Sequence, residues 1–198
     1  VVDYQLAGRT FDRANGQNLE GVKITMVNTR TGETIEQLYS NTEGEFTSNF
    51  LADKKFGDTV EIIFHLDKDK YLKLANRYTI VLDKQQKHYV EYPMEKIAIG
   101  IDIASVIEIN PIYFDLDKAE IRPDAKIELN KIVEIMNSNL GIVIELGSHT
   151  DCRATKAYNL SLSDRRAKAS AAYIKSRIKD PSRIYGKGYG ESKLVNDC

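Results

Sequence analysis

The apolar residues of this 198-residue chain change their spacing near residue 100. In "GVKITMVN" Val22, Ile24 and Met26 alternate with polar residues, the period of a half-buried strand. Beyond Pro123, Leu129, Ile132, Val133 and Met136 follow each other at spacings of three and four, one face of a helix. The switch predicts two domains, residues 1–95 and 96–198, with the change of grammar in "PMEKIAIGID", from Pro93 to Asp102.

The first domain reads as strands throughout. "TRTG" and "NTEGE" are turn clusters flanking "ETIEQLYS", and "EFTSNF", "TVEIIFHL", "RYTIVL" and "KHYVEYPM" follow between polar or glycine-bearing breaks. Six or seven short strands at this spacing predict an all-β antiparallel sandwich. His65 and His88 fall in strand-like segments and are expected to be surface or packing residues.

The second domain mixes elements. "INPIYFDL" (109–116) is expected as a strand, and "RPDAKIELNKIVEIMNSN" as a helix with Pro123 in its first turn and Asp124 at the positive end of its dipole. "GIVIELGSH" reads as a second strand. Ser163 is the expected N-cap of a second helix that buries Ala167, Ser170, Ala171, Ile174 and Ile178. "SRIYGKGYGE" is expected to close the domain with a third strand and a glycine-rich turn. The sum is a βαβαβ core, an α+β domain.

Basic and acidic residues number 28 and 29, so no net charge draws the chain to nucleic acid or an anionic membrane. No apolar run reaches the length of a membrane span, and no signal peptide opens the chain. The start at Val1 is expected to be a processed or trimmed end, and "ESKLVNDC" a cut that leaves a C-terminal piece missing. Cys152 and Cys198 are too few for a disulfide scaffold. They pair with each other in an oxidising compartment, or Cys198 belongs with a cysteine further downstream.

The densest chemistry lies in "GSHTDCRATKAYNLSLSDRRA", residues 147–167. With Ser163 as cap, Arg166 falls in the first turn of the helix, where free N–H groups favour an anion and a guanidinium adds a fork for a carboxylate. Asp151, on the preceding loop, suits an ammonium. One fixed charge of each sign complements the zwitterionic end of an amino acid. A plain salt bridge between Asp151 and Arg166 explains the same residues equally well. His149, Asp151 and Cys152 make a weak metal set, and His149 with Cys152 lacks a third group to orient a nucleophilic pair. The expectation is a protein without catalysis, metal or cofactor.

Two resemblances extend this reading. "AGRTFDRANGQNLEGVKITMVNTRTGE" with "NTEGEF" resembles the carboxypeptidase regulatory-like, or transthyretin-like, sandwich, with Gly8, Gly21, Gly32 and Gly44 at its inter-strand turns. That resemblance implies a structural or adhesive module with no catalytic residues, and the alternative function for the chain is an adhesion or assembly module whose sandwich binds a protein partner. "IYFDLDKAEIRPDA", "ELGSHTDCRATKAYNLSLSDRRAKASAAYI" and "GKGYGES", in that order over residues 100–198, resemble the OmpA-like peptidoglycan-binding domain. The "SHTD" and "RRA" variants are similar to those of Bacteroidetes-type outer-membrane proteins.

This second resemblance implies a non-catalytic site for the diaminopimelate of the peptidoglycan stem peptide, held between Asp151 and Arg166. Thr150, Asn159 and Leu160 match neighbouring pocket positions, and Asp115 and Asp117 border the pocket in "FDLD". It also implies cell-wall anchoring at the periplasmic face of the outer membrane, through a membrane anchor outside this chain. Two features depart from the family pattern: Cys152 in the loop, and the absence of a C-terminal "NRR" segment.

Overall fold

Alternating burial marks most of the first seven strands of the computed structural model, which describes residues 3–192. They are β1 (Gln5–Asp12), β2 (Lys23–Asn28), β3 (Thr34–Tyr39), β4 (Glu45–Ser48), β5 (Thr59–Asp67), β6 (Leu74–Val81) and β7 (Lys87–Met94). They form two sheets, ordered β4-β1-β7 and β3-β2-β5-β6. Tyr4, Leu6, Val90, Tyr92 and Met94 from the first sheet meet Ile24, Met26, Ile62, Phe64 and Ile80 from the second in one core. This unit runs to Ile101, and a second begins at Asp102.

Two expectations for the sandwich need correction. Its strands are antiparallel except β7, which runs parallel to β1 over eight residues from Gln5↔Lys87 to Asp12↔Met94. β7 follows β6, which lies in the other sheet, so no hairpin dictates its direction. Gly8 lies inside β1 rather than at a turn. A Cβ there would stand 2.5 Å from the Phe46 ring and 2.6 Å from the Val90 carbonyl oxygen, so the glycine makes room for a core aromatic.

The second unit contains α1 (Ile103–Ile107), α2 (Pro123–Ser138), β8 (Ile144–His149), α3 (Lys156–Lys175), a 3-10 turn (Pro181–Arg183) and β9 (Ile184–Gly190). Pro123 sits in the first turn of α2 and Leu129, Ile132 and Met136 are buried, as the spacing predicts. Residues 109–116, expected as the first strand, form none among the described residues. Pro111 has no N–H for a ladder, and side chains hold the segment instead. Glu128 accepts from the Asn110 backbone N–H at 2.9 Å and from its amide at 3.0 Å, and Lys131 donates to the Glu108 carbonyl at 3.0 Å. The described sheet therefore has two parallel strands, β8 and β9, with α3 as their crossover.

The helix α3 begins seven residues earlier than Ser163, at Lys156, capped by Thr155, whose hydroxyl accepts from the Tyr158 N–H at 3.3 Å. Ser163 is buried mid-helix, where its Oγ donates to the Leu160 carbonyl and accepts from the Gly190 N–H, each at 2.9 Å. The glycines of "GKGYG" lie within β9 rather than in a turn. A Cβ on Gly186 would stand 2.2 Å from the Ala167 carbonyl oxygen, and one on Gly188 would stand 2.2 Å from the Asp164 nitrogen. The helix backbone rides directly on the strand, and Ala167, Ser170 and Ala171 keep its buried face shallow.

Candidate functional site

The loop from Thr150 to Thr155 leaves β8 at a register irregularity between Ser148 and His149, and three ties hold it to the end of β9. The Thr150 N–H donates to the Gly190 carbonyl at 2.9 Å. The Ser163 hydroxyl receives the Gly190 N–H, and the Asn159 amide donates to Glu191 at 2.8 Å and to the Ala154 carbonyl at 3.2 Å. Asn159 is thus buried and structural. Leu160, next to it, is exposed on the helix surface.

Arg166 lies roughly 15 Å along α3 from its first residue, at 1.5 Å per residue. The free N–H groups of the helix start therefore play no part at Arg166, contrary to the expectation from a Ser163 cap. Its guanidinium is fixed another way. Nε donates to the Lys118 carbonyl at 2.9 Å, Nη2 to the Asp115 carbonyl at 3.1 Å, and the group lies 5.1 Å from the centre of the Phe114 ring. These contacts clamp the "FDLDK" segment to α3. They also take two of the five donors of the guanidinium.

The two aspartates of that segment are engaged elsewhere. Asp115 pairs with Arg122 at 3.3 Å, and Asp117, at a φ of 57°, accepts a short hydrogen bond from the Tyr158 hydroxyl. That bond pushes the Tyr158 phenol above its ordinary pKa. Both residues shape the segment from which Arg166 hangs.

Asp151 keeps an exposed carboxylate, its side chain 54% accessible. Among the described residues no ion pair joins it to Arg166. Its partner is Arg153, which sequence reasoning passed over: Nε donates to Oδ2 at 2.7 Å, and the Arg153 N–H donates to Oδ1 at 3.2 Å. The Arg153 guanidinium holds the Asp151 carboxyl below its ordinary value, and the charge of Arg166 adds a smaller push in the same direction. Asp151 and Arg166 therefore share one electrostatic environment without neutralising each other. The Thr150 hydroxyl, one residue before Asp151, is buried and has no hydrogen-bond partner among the described residues.

His149 stacks on Tyr189, with ring centres 5.3 Å apart. Among the described residues no three His, Cys, Asp or Glu side chains group as metal ligands. The pairing of Cys152 with Cys198 lies outside the described residues. His65 is exposed on β5, and His88 is buried on β7 beside Tyr4. No described helix is long and apolar enough to cross a membrane.

Residues 113–198 match the model of the OmpA family. Over 89 residues the chain is 36% identical to an outer membrane protein A of Bordetella avium, an alignment spanning 44% of this chain and 45% of that protein. Over another 89-residue alignment it is 39% identical to a peptidoglycan-associated lipoprotein of Rhizobium meliloti, spanning 44% of this chain and 49% of that protein. The chain thus spans about half the length of these curated relatives. On the N-terminal side it overlaps the 5-hydroxyisourate hydrolase of Klebsiella pneumoniae over 48% of this chain and 92% of that one, at 12% identity and a TM-score of 0.36.

Proposed function

We propose that this chain, whose residues 113–198 form an OmpA domain, binds peptidoglycan without catalysing a reaction and anchors the cell wall to the outer membrane from its periplasmic face. The ligand is the free zwitterionic end of diaminopimelate in the stem peptide. Its ammonium meets Asp151 and its carboxylate meets the Arg166 guanidinium. The Thr150 hydroxyl completes the pocket, and Asn159, Leu160, Asp115 and Asp117 frame it. The observation that carries this reading is the pair of opposite charges not joined to each other, Arg166 clamped by two carbonyls and a ring, and Asp151 half exposed and paired with the solvent-exposed Arg153. The names of the outer membrane and peptidoglycan-associated relatives agree with it.

Calorimetry with a diaminopimelate-containing stem peptide tests the site. Asp151→Ala is expected to weaken binding about thirtyfold, because the ligand ammonium loses its counter-charge, the loss being moderated by the half exposure of this carboxylate. Arg166→Ala should lose as much affinity and some stability, since the "FDLDK" segment loses its clamp. Wild-type affinity in Asp151→Ala would sink the assignment.

A second reading, in which the sandwich binds a protein partner, draws on one feature of the first unit. A cleft of about 500 Å³ opens between β6 and β7, lined by Asn76, Tyr78, Tyr89 and Tyr92. The buried Tyr92 hydroxyl has no hydrogen-bond partner among the described residues. Sedimentation with purified sacculi separates the readings, because partner binding alone predicts none.

A further inference from the structure

We propose that Arg153 is a built-in competitor for the ammonium group that Asp151 receives, so that it sets the affinity of the site from within; the inference rests on the reading of that site given above. The two arginines near Asp151 are held in opposite ways. Arg166 is fixed by the Lys118 and Asp115 carbonyls and the Phe114 ring, and among the described residues it is joined to no carboxylate. Arg153 has a side chain 88% accessible, and among the described residues its guanidinium bonds to the Asp151 carboxylate alone, through Nε at 2.7 Å and through Nη2. A guanidinium on Oδ2 occupies the position, and neutralises the negative charge, that a ligand ammonium needs, so the ligand must displace it.

The carboxylate stays aimed when the guanidinium leaves. Oδ1 accepts from the Arg153 backbone N–H at 3.2 Å, a bond that any residue except proline retains at this position. Displacement therefore costs one exposed ion pair and leaves the loop in place. Exposed pairs of this kind are weak, which makes Arg153 a brake on affinity rather than a block.

Calorimetry of the whole protein with the diaminopimelate stem peptide, wild type against Arg153→Ala, reads the competition directly. The variant is expected to bind about two- to fivefold tighter, the worth of an exposed ion pair. Arg153→Lys should stay near wild type. A stem peptide acetylated on the diaminopimelate amine carries no ammonium and should show no gain from Arg153→Ala. Equal affinity of wild type and Arg153→Ala for the unmodified peptide would overturn the competitor role alone, as would weaker binding by the variant, which would make Arg153 a ligand contact. Binding by neither protein would overturn the reading of the site, and this inference with it.

Discussion

In the sandwich, β1 runs between β4 and β7, β2 and β5 run between neighbours on both sides, and the inward residues of both sheets share one core. In the C-terminal unit the described sheet has two strands, and the segment leading to α2 lies in no ladder. Side chains do there what ladders do in the sandwich. Glu128 holds Asn110, Arg166 holds the carbonyls of Asp115 and Lys118, and Arg183, 7% exposed, donates to the carbonyls of Met136, Asn139 and Ile142 at the end of α2. A ladder fixes a strand whatever the identity of most of its side chains. A clamp depends on one residue, and the groups it leaves unpaired face outward. The charged site lies in the unit built with clamps.

The contrast is broken most severely at the helix–strand contact. Gly188→Ala would drive a Cβ to within 2.2 Å of the Asp164 nitrogen in α3, a backbone atom that cannot swing aside. The expected cost is about 3 kcal/mol or more, with faster amide hydrogen exchange along α3 and β9 and little change in β1–β7. Gly141→Ala, where a Cβ would meet nothing within 4 Å, is the control and should melt like wild type. Equal melting of the two variants would mean that α3 does not ride on β9 as described.

These glycines also mark the limit of what the sequence discloses. Period-two alternation located six of the seven sandwich strands because burial alone determines it, and the three-and-four spacing located α2 for the same reason. The pattern "GKGYG" is ambiguous without a partner: glycine favours turns, and only the helix lying across β9 turns the same residues into a requirement for contact. Ser163 misled in a similar way. Its side chain satisfies a cap rule locally, yet Thr155 wins because Tyr158, Asn159 and Leu162 continue the helix upstream. Within the site, Asp151 and Arg166 were legible as charges of opposite sign. Arg153 was not, since an arginine two residues from an aspartate looks like ordinary surface until the loop folds it back.

Arg183 offers a smaller break. Arg183→Met keeps most of the buried stem and removes the bonds to the Met136 and Asn139 carbonyls at the end of α2 and to the Ile142 carbonyl beyond it. Unsatisfied carbonyls at a helix end should cost about 2 kcal/mol, seen as a lower urea midpoint for the C-terminal unit with an unchanged slope. Stability equal to wild type would show that solvent caps the helix as well as the guanidinium does.

The smallest expected effect sharpens the comparison by pH. The Glu128 side chain is 12% exposed and receives Lys131 at 2.8 Å along with both Asn110 bonds. The Lys131 bond, then those from Asn110, pull its carboxyl from 4.5 down to about 2. A carboxyl depressed on folding stabilises the native state fully above its unfolded value, and that contribution is lost as pH falls through the folded value. Urea melts of the C-terminal unit should therefore weaken as pH drops from about 4.5 toward 2. Glu128→Gln should lose about 1 kcal/mol at pH 7, because an amide presents one acceptor where the carboxylate presents two. The gap between wild type and Glu128→Gln should close as the wild-type carboxylate protonates. A gap that stays constant from pH 7 to pH 2 would mean that the charge of Glu128 adds nothing to its hold on the segment before α2.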